Sequence, residues 1–312
     1  MLMGIPNSKF EDWYKTGADK GSKAAADRIE QILQEDRSPV EQSDCSFQVR
    51  RQGSYKNTTH TYGSSDVDVI AKLTSAWHRD LSELSEDEKE RYHLHHGTPD
   101  YGYDEFSRDV WRWLSTRFES NVISWNGKAI EISDASSRIS VDVDLVPCIE
   151  HRYYKSYDGY QDGEYETGMA FEPRHTGEVI INYPSIHYEN GCDKHRNYKE
   201  TVRIFKNARD YYNEHFNTFW TIDAHSYGIE CLIYNVPEDI LKRTNRADRF
   251  DEVLTFLENE EWSEFDQVSE MESLFGNSNT QWNTGEAEEL ITRLREMWED
   301  WYDTQKNAQL LN

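Results

Sequence analysis

Two runs in this chain alternate apolar and acidic residues with a period of two. One is Asp66-Val67-Asp68-Val69, and the other is Val141-Asp142-Val143-Asp144-Leu145. Period two is the repeat of an extended strand, whose successive side chains point to opposite faces. Each run therefore asks for a sheet with one face apolar and the other lined by carboxylates. Asp66 and Asp68 project together, and neighbouring carboxylates repel unless a cation holds them. Hard divalent ions such as Mg²⁺ suit all-oxygen ligands and keep positions open for phosphate and water. A third acid from the second run, Asp144 or Asp142, would complete a two-metal site. There one ion activates an attacking hydroxyl, and the other binds a triphosphate and stabilises the leaving pyrophosphate.

The stretch before the first run adds a phosphate cradle. Phe47 and Val49 alternate with polar residues up to Gly53-Ser54, the pattern of a strand ending in a turn. Glycine permits close backbone approach to a phosphate, and the serine hydroxyl with free amides at a helix start can bind its oxygens. A D-x-D on a strand and a Gly-Ser turn are each common. Their order, strand then Gly-Ser then D-x-D strand then a later acid-bearing strand, is much more specific.

The remaining pattern is mixed. Helical periodicity marks residues 20–35, 84–95 and 103–118, with Phe106, Val110, Trp111, Trp113, Leu114 and Phe118 giving the last an apolar surface. Val122 to Ile132 reads as a hairpin turning at Asn126-Gly127 in a type I′ turn. Arg138 to Ile149 reads as a further strand, and the Tyr-rich 153–168 as a surface loop or hairpin. From about residue 190 the chain is mostly helical, with a long helix over 195–216 and others over 249–258 and 286–308. The expected fold class is α/β (α+β): a mixed-sheet core over residues 1–190 with an N-terminal helix, and a helical C-terminal lobe over 191–312.

Composition limits the partners. Lys and Arg number 34 against 59 Asp and Glu, a net charge of −25. A surface this acidic repels a phosphate backbone, which argues against long nucleic acid as a partner. It also suits a high-salt cytoplasm, because self-repulsion is tolerated better when screened. Thirteen per cent aromatic residues, including ten tryptophans, argue for a folded chain despite only 36% apolar residues. The four cysteines form no C-x-x-C pair, so a reducing cytoplasm is expected. No basic leader precedes an apolar run, and no stretch reaches the roughly 20 apolar residues of a membrane span.

The run Gln52 to Ile70, QGSYKNTTHTYGSSDVDVI, resembles the active-site signature of the DNA polymerase beta-like nucleotidyltransferase superfamily. Its closest likeness there is to the prokaryotic relatives of cyclic GMP-AMP synthase and oligoadenylate synthase, the CD-NTases of CBASS anti-phage signalling. Val143-Asp144-Leu145-Val146-Pro147 is similar to that family's strand bearing the third metal ligand. Ile181-Asn182-Tyr183-Pro184 with Asn190-Gly191, the helical run Thr201-Val202-Arg203-Ile204-Phe205-Lys206, and Ser226 to Leu232 look like its second lobe. The resemblance implies a polymerase beta-like palm, a two-lobed enzyme with its active site in the cleft. Such an enzyme makes a cyclic di- or trinucleotide second messenger from nucleoside triphosphates, and a separate effector protein reads the product. It implies Asp66, Asp68 and Asp144 as catalytic ligands of two Mg²⁺ or Mn²⁺ ions. Gly53 and Ser54 become phosphate contacts, and Lys206 with Arg203 steady the triphosphate. Asp144 is preferred to Asp142 for its spacing to Pro147.

Competing readings stay open at this point. An RNA-tailing or protein- or drug-nucleotidylating relative would keep the same acids, although tailing enzymes need a basic primer track. A catalytically silent nucleotide sensor would have no need of a repulsive acid cluster. His93, His95 and His96 with Asp100 suggest a transition-metal site only weakly, since no cysteine is near and a solvated helix end explains them. The tyrosines of 153–165 could stack bases or line an exposed hairpin.

Overall fold

The computed structural model describes residues 4–17, 21–62, 66–133, 139, 141–159, 163–216 and 221–301. The chain divides into two compact units. One comprises Asp19–Tyr55 and Ser65–Ser185, and the other Met1–Ala18, Lys56–Ser64 and Ile186–Asn312. The sequence suggests a single cut at residue 190, whereas the helical unit also takes in two earlier segments. The physical reason lies in α1 (Asn7–Trp13), whose Phe10 and Trp13 are buried in the helical core. Phe10 meets Phe250 at 5.4 Å and Trp298 at 6.1 Å between ring centroids.

The first unit is built on a seven-stranded mixed sheet. Before it come α2 (Ser22–Leu33) and α3 (Pro39–Gln42), then β1 (Phe47–Arg51), α4 (Gly53–Asn57) and β2 (Val67–Asp80). There follow α5 (Glu86–His95), α6 (Tyr103–Ser115), β3 (Ile123–Trp125), β4 (Ile130–Ile132), β5 (Val143–Ser156), β6 (Glu164–Phe171) and β7 (Ile180–Asn182). The strand order is β1-β2-β5-β4-β3, with β6 pairing β5 and β7 pairing β6. Among the described residues of this sheet, only β2 and β5 run parallel; the other pairs are antiparallel. β4 takes the edge of β5 at Val143–Leu145, and β6 takes β5 from Ile149 onward.

One sheet face is apolar throughout. Val67, Val69, Val143, Leu145, Ile130 and Ile132 are buried there, together with Ile29, Ile32 and Leu33 of α2 and Phe106, Val110 and Leu114 of α6. Those helical residues fall at the three- and four-residue spacings that give a helix one buried stripe. The opposite face carries Asp68 and Asp144 at one end. Further along it a second cluster closes over Ile70, Val146, Cys148, Met169, Phe171 and Ile180.

Two expectations are corrected, and a third is resolved in favour of one of its alternatives. The strand expected over 138–149 begins at Val143 and runs on to Ser156; residues 134–138 and 140 lie outside the described residues. The β3–β4 hairpin turns over the four residues Asn126–Ala129, not in a two-residue Asn-Gly turn, and Gly127 is not among the positive-φ glycines. Its carbonyl instead accepts a hydrogen bond from the amide of Arg174. The Tyr-rich segment forms the β5–β6 hairpin, where Tyr154 and Tyr157 are buried with Leu84 and Tyr92.

The second unit contains α7 (Pro184–Asp193), α8 (Tyr198–His215), α9 (Ser226–Tyr234), α10 (Glu238–Leu241), α11 (Arg246–Asn259) and α12 (Thr284–Glu299). Its core gathers Val202, Phe205, Ile229, Leu232, Phe250 and Leu294. Side chains of Asn245 and Asn283 cap α11 and α12 by accepting from the second and third amides of each helix. Among the described residues, no helix is long and apolar enough to cross a membrane.

Candidate active site

The parallel pairing of β2 and β5 places Asp68 directly opposite Asp144. Cross-strand partners share a face, so both carboxylates stand on the side of the sheet away from the α2 and α6 core. The neighbouring valines and leucines point into that core and fix the register, because a one-residue slip would bury the acids. Asp66 precedes β2 and is exposed. Asp142 lies before β5, where its carbonyl accepts from the Val67 amide at 2.9 Å. Register therefore gives Asp68 the partner Asp144, with Asp142 one step outside the ladder.

Electrostatics at this end of the sheet are strained by like charge. Burial raises the Asp144 carboxyl above its ordinary value, and the charges of Asp66, Glu131 and Asp142 raise it further. A divalent cation would relieve that repulsion, and an all-carboxylate donor set suits a hard ion. No group of three or more His, Cys, Asp or Glu side chains among the described residues is already arranged to hold a metal ion. The case for fit thus stands on donor chemistry and mutual repulsion.

Glu131 is an acid that the sequence reading passed over. It is the β4 partner of Asp144, so Asp68, Asp144 and Glu131 form one row across three strands. Ile130-Glu131-Ile132 alternates buried, exposed and buried residues, much as the two acidic runs alternate buried valines and leucine with half-buried aspartates. That alternation was the available signal, masked by the shortness of the strand.

Gly53 packs against this row. Its φ is +61°, in the left-handed region, and an added Cβ would lie 2.0 Å from Asp68 Oδ2. The adjoining Gln52 amide donates to the Asp68 carbonyl at 2.9 Å. Glycine is thus required twice, by conformation and by the carboxylate beside it. Ser54 follows in the first turn of α4 and is half-buried.

The two basic residues expected at a triphosphate are both engaged within the helical unit. Lys206 of α8 is buried and donates to Glu230 Oε1 at 2.6 Å. Thr59 donates to the same oxygen at 2.5 Å, and Asn57 to Oε2 at 3.1 Å. His187 Nε2 is 3.0 Å from Oε2. Burial opposes the charge on Glu230, yet Lys206 and His187 hold the carboxyl far below the usual range. Arg203 donates from Nε to the Tyr14 carbonyl and from Nη1 to the Thr58 carbonyl, each at 2.5 Å. Glu230 sits in the Ser226–Leu232 run, but sequence alone gave it no partner.

Other candidate residues resolve as structure. His95 Nδ1 and His96 Nε2 lie 3.1 and 3.2 Å from the Tyr157 hydroxyl, at the closed end of the β5–β6 hairpin. All four cysteines are free. Trp111 and Trp113 pack half-buried against the sheet core.

Comparison with known proteins agrees with this architecture. Residues 189–299 match the family model of the cGAS/DncV-like nucleotidyltransferase C-terminal helical domain. The chain is 32% identical over 306 residues to the cyclic nucleotide synthase CdnE01 of Staphylococcus haemolyticus, covering 96% of this chain and 100% of that one. It is 31% identical over 303 residues to the cyclic UMP-AMP synthase of Rhodothermus marinus, covering 96% and 99%. The solved structure of the Rhodothermus marinus CdnE c-UMP-AMP synthase with Apcpp and Upnpp superposes with a TM-score of 0.82 at 30% identity. That match covers 96% of this chain and 98% of the other.

Proposed function

The chain belongs to the cGAS/DncV-like nucleotidyltransferases, the CD-NTases, and from that premise we propose that it joins nucleoside triphosphates into a cyclic di- or trinucleotide second messenger. The observation that carries the site is the register of Asp68 against Asp144 on the open face, with Gly53 packed on Asp68. Relatives bearing the names of cyclic nucleotide synthases match along nearly the whole chain, which supports the same product class here.

In this proposal Asp66, Asp68 and Asp144 hold two Mg²⁺ ions, or Mn²⁺ in their place. When bound, the ions would offset the negative charge of the triphosphate and make the attacking hydroxyl easier to deprotonate. The chain's own residues set the geometry. Gly53 lets the backbone approach the phosphates without a Cβ, and the Ser54 hydroxyl donates to a phosphate oxygen. Asp68 and Asp144, fixed by adjacent strands one spacing of about 4.8 Å apart, would hold the ions beside the attacked α-phosphate and the acceptor hydroxyl. The hydroxyl of one nucleotide gives up its proton to solvent as its oxygen bonds to the α-phosphorus of another, and the bond to the leaving pyrophosphate breaks. A second such step closes the ring. Arg203 and Lys206 are kept in this proposal as the residues that steady the triphosphate.

The proposed setting is the cytoplasm, in CBASS anti-phage signalling, with a separate effector reading the product. Free nucleotides are the substrates, because the net charge of −25 disfavours a long polyanion. The test is incubation with labelled NTPs and Mg²⁺ or Mn²⁺ without primer, followed by phosphatase and mass spectrometry. A phosphatase-resistant cyclic product is expected. Label incorporated only when RNA or protein is added would replace the proposal with tailing or target nucleotidylation.

A further inference from the structure

The acid row does not stop at Glu131. β3 and β4 pair so that Ser124 lies opposite Glu131, and Ser124 Oγ donates to Glu131 Oε2 at 2.9 Å. Asp68, Asp144, Glu131 and Ser124 thus step across four strands on one face, while Ile123, Ile130 and Ile132 point into the core behind them. The last two members differ from the first two in kind. Glu131 is exposed, and its second oxygen has no protein partner among the described residues. The serine holds one carboxylate oxygen and leaves the other for a ligand. Strands lie about 4.8 Å apart, so Glu131 is one strand, and Ser124 two, from Asp144. That is the span of a ribose ring held with one edge at the reacting centre.

We propose that Glu131, oriented by Ser124, receives the acceptor nucleotide by accepting a hydrogen bond from its non-attacking ribose hydroxyl. This rests on Asp68 and Asp144 being the reacting centre. A vicinal diol offers two hydroxyls of similar reactivity, and holding one of them aims the other. Glu131 then sets both acceptor affinity and the choice between 2′–5′ and 3′–5′ linkage. A carboxylate suits the task because hydrogen bonds to a charged acceptor are the stronger kind.

The experiment uses the full chain and pairs each variant with substrates lacking one hydroxyl. Of 2′-deoxy and 3′-deoxy NTPs, the one that still couples lacks the hydroxyl not used in attack. The wild type should discriminate against it in kcat/KM by roughly ten-fold or more, the scale of a lost charged hydrogen bond. In Glu131→Ala that discrimination should shrink to within about two-fold, with partial recovery in Glu131→Gln, whose amide oxygen still accepts. Ser124→Ala should fall between wild type and Glu131→Ala. Nuclease mapping should show a mixed linkage in Glu131→Ala. Mn²⁺ binding, read by electron paramagnetic resonance without nucleotide, should match the wild type. Equal discrimination in wild type and Glu131→Ala, with unchanged linkage, would overturn the inference. So would loss of Mn²⁺ binding in Glu131→Ala, which would make Glu131 a metal ligand. If Asp68→Asn and Asp144→Asn retain full turnover, the reacting centre itself is misplaced, a failure separate from that of Glu131.

Discussion

At Gly53 two independent constraints meet, a left-handed φ and a carboxylate where a Cβ would go. Gly53→Ala should therefore cost stability of about 1–3 kcal/mol and displace Asp68, measurable as a lowered denaturant midpoint together with lost product formation. Lys206 and Glu230 supply the opposite case, a buried pair whose removal leaves a charge without its partner. Lys206→Met should destabilise by roughly 3–5 kcal/mol by chemical denaturation. A variant of unchanged stability with a raised KM for NTP would assign Lys206 to the substrate alone. At this scale the sequence showed which acids alternate with apolar residues, since one residue and its neighbour suffice for that. It did not show Glu131 or Glu230. Their meaning depends on partners on another strand or helix, and local spacing carries no record of those.

The elements explain where reading along the chain succeeds and where it stops. Val67-Asp68-Val69-Ile70 announces β2, but the strand continues to Asp80 through an irregularity between Leu73 and Trp77. A bulge shifts the alternation, so period two is lost in the middle of a real strand. The far half of β2 pairs with β5 and brings His78 Nδ1 within 2.9 Å of His151 Nδ1, while His151 Nε2 lies 3.1 Å from the Tyr183 hydroxyl. Burial, reinforced by the charge of His78, lowers His151 to about 4 from an ordinary 6.5. The folded state thus resists a proton that the unfolded chain accepts. Stability is full above pH 6.5, falls as the pH drops from 6.5 to 4, and levels off below that for this group. The expected loss is about 3 kcal/mol across the window. Urea titrations at half-unit steps should show it, and His151→Asn should flatten it. An equally steep fall in that variant would place the pH dependence elsewhere.

Over the whole molecule, the change from mixed to helical pattern near residue 190 was visible because the hydrophobic period itself changes. The return of residues 1–18 and 56–64 to the helical unit was not visible. It depends on Phe10 and Trp13 finding a core formed almost 200 residues later, and no local pattern records that distance. The net charge of −25 belongs to this scale as well. Screening of its self-repulsion should raise Tm by about a few degrees between low and near-molar NaCl; a flat or falling Tm would show that repulsion does not limit stability. The central claim is that the reacting centre is the Asp68–Asp144 register pair. Its most direct test is the quantity of primer-free cyclic product made by Asp68→Asn, Asp144→Asn and Asp142→Asn beside the wild type, each first shown to be folded. The account predicts a loss of roughly a hundred-fold or more in the first two and retention within a few-fold in Asp142→Asn. Intact synthesis in Asp144→Asn with loss in Asp142→Asn would contradict it.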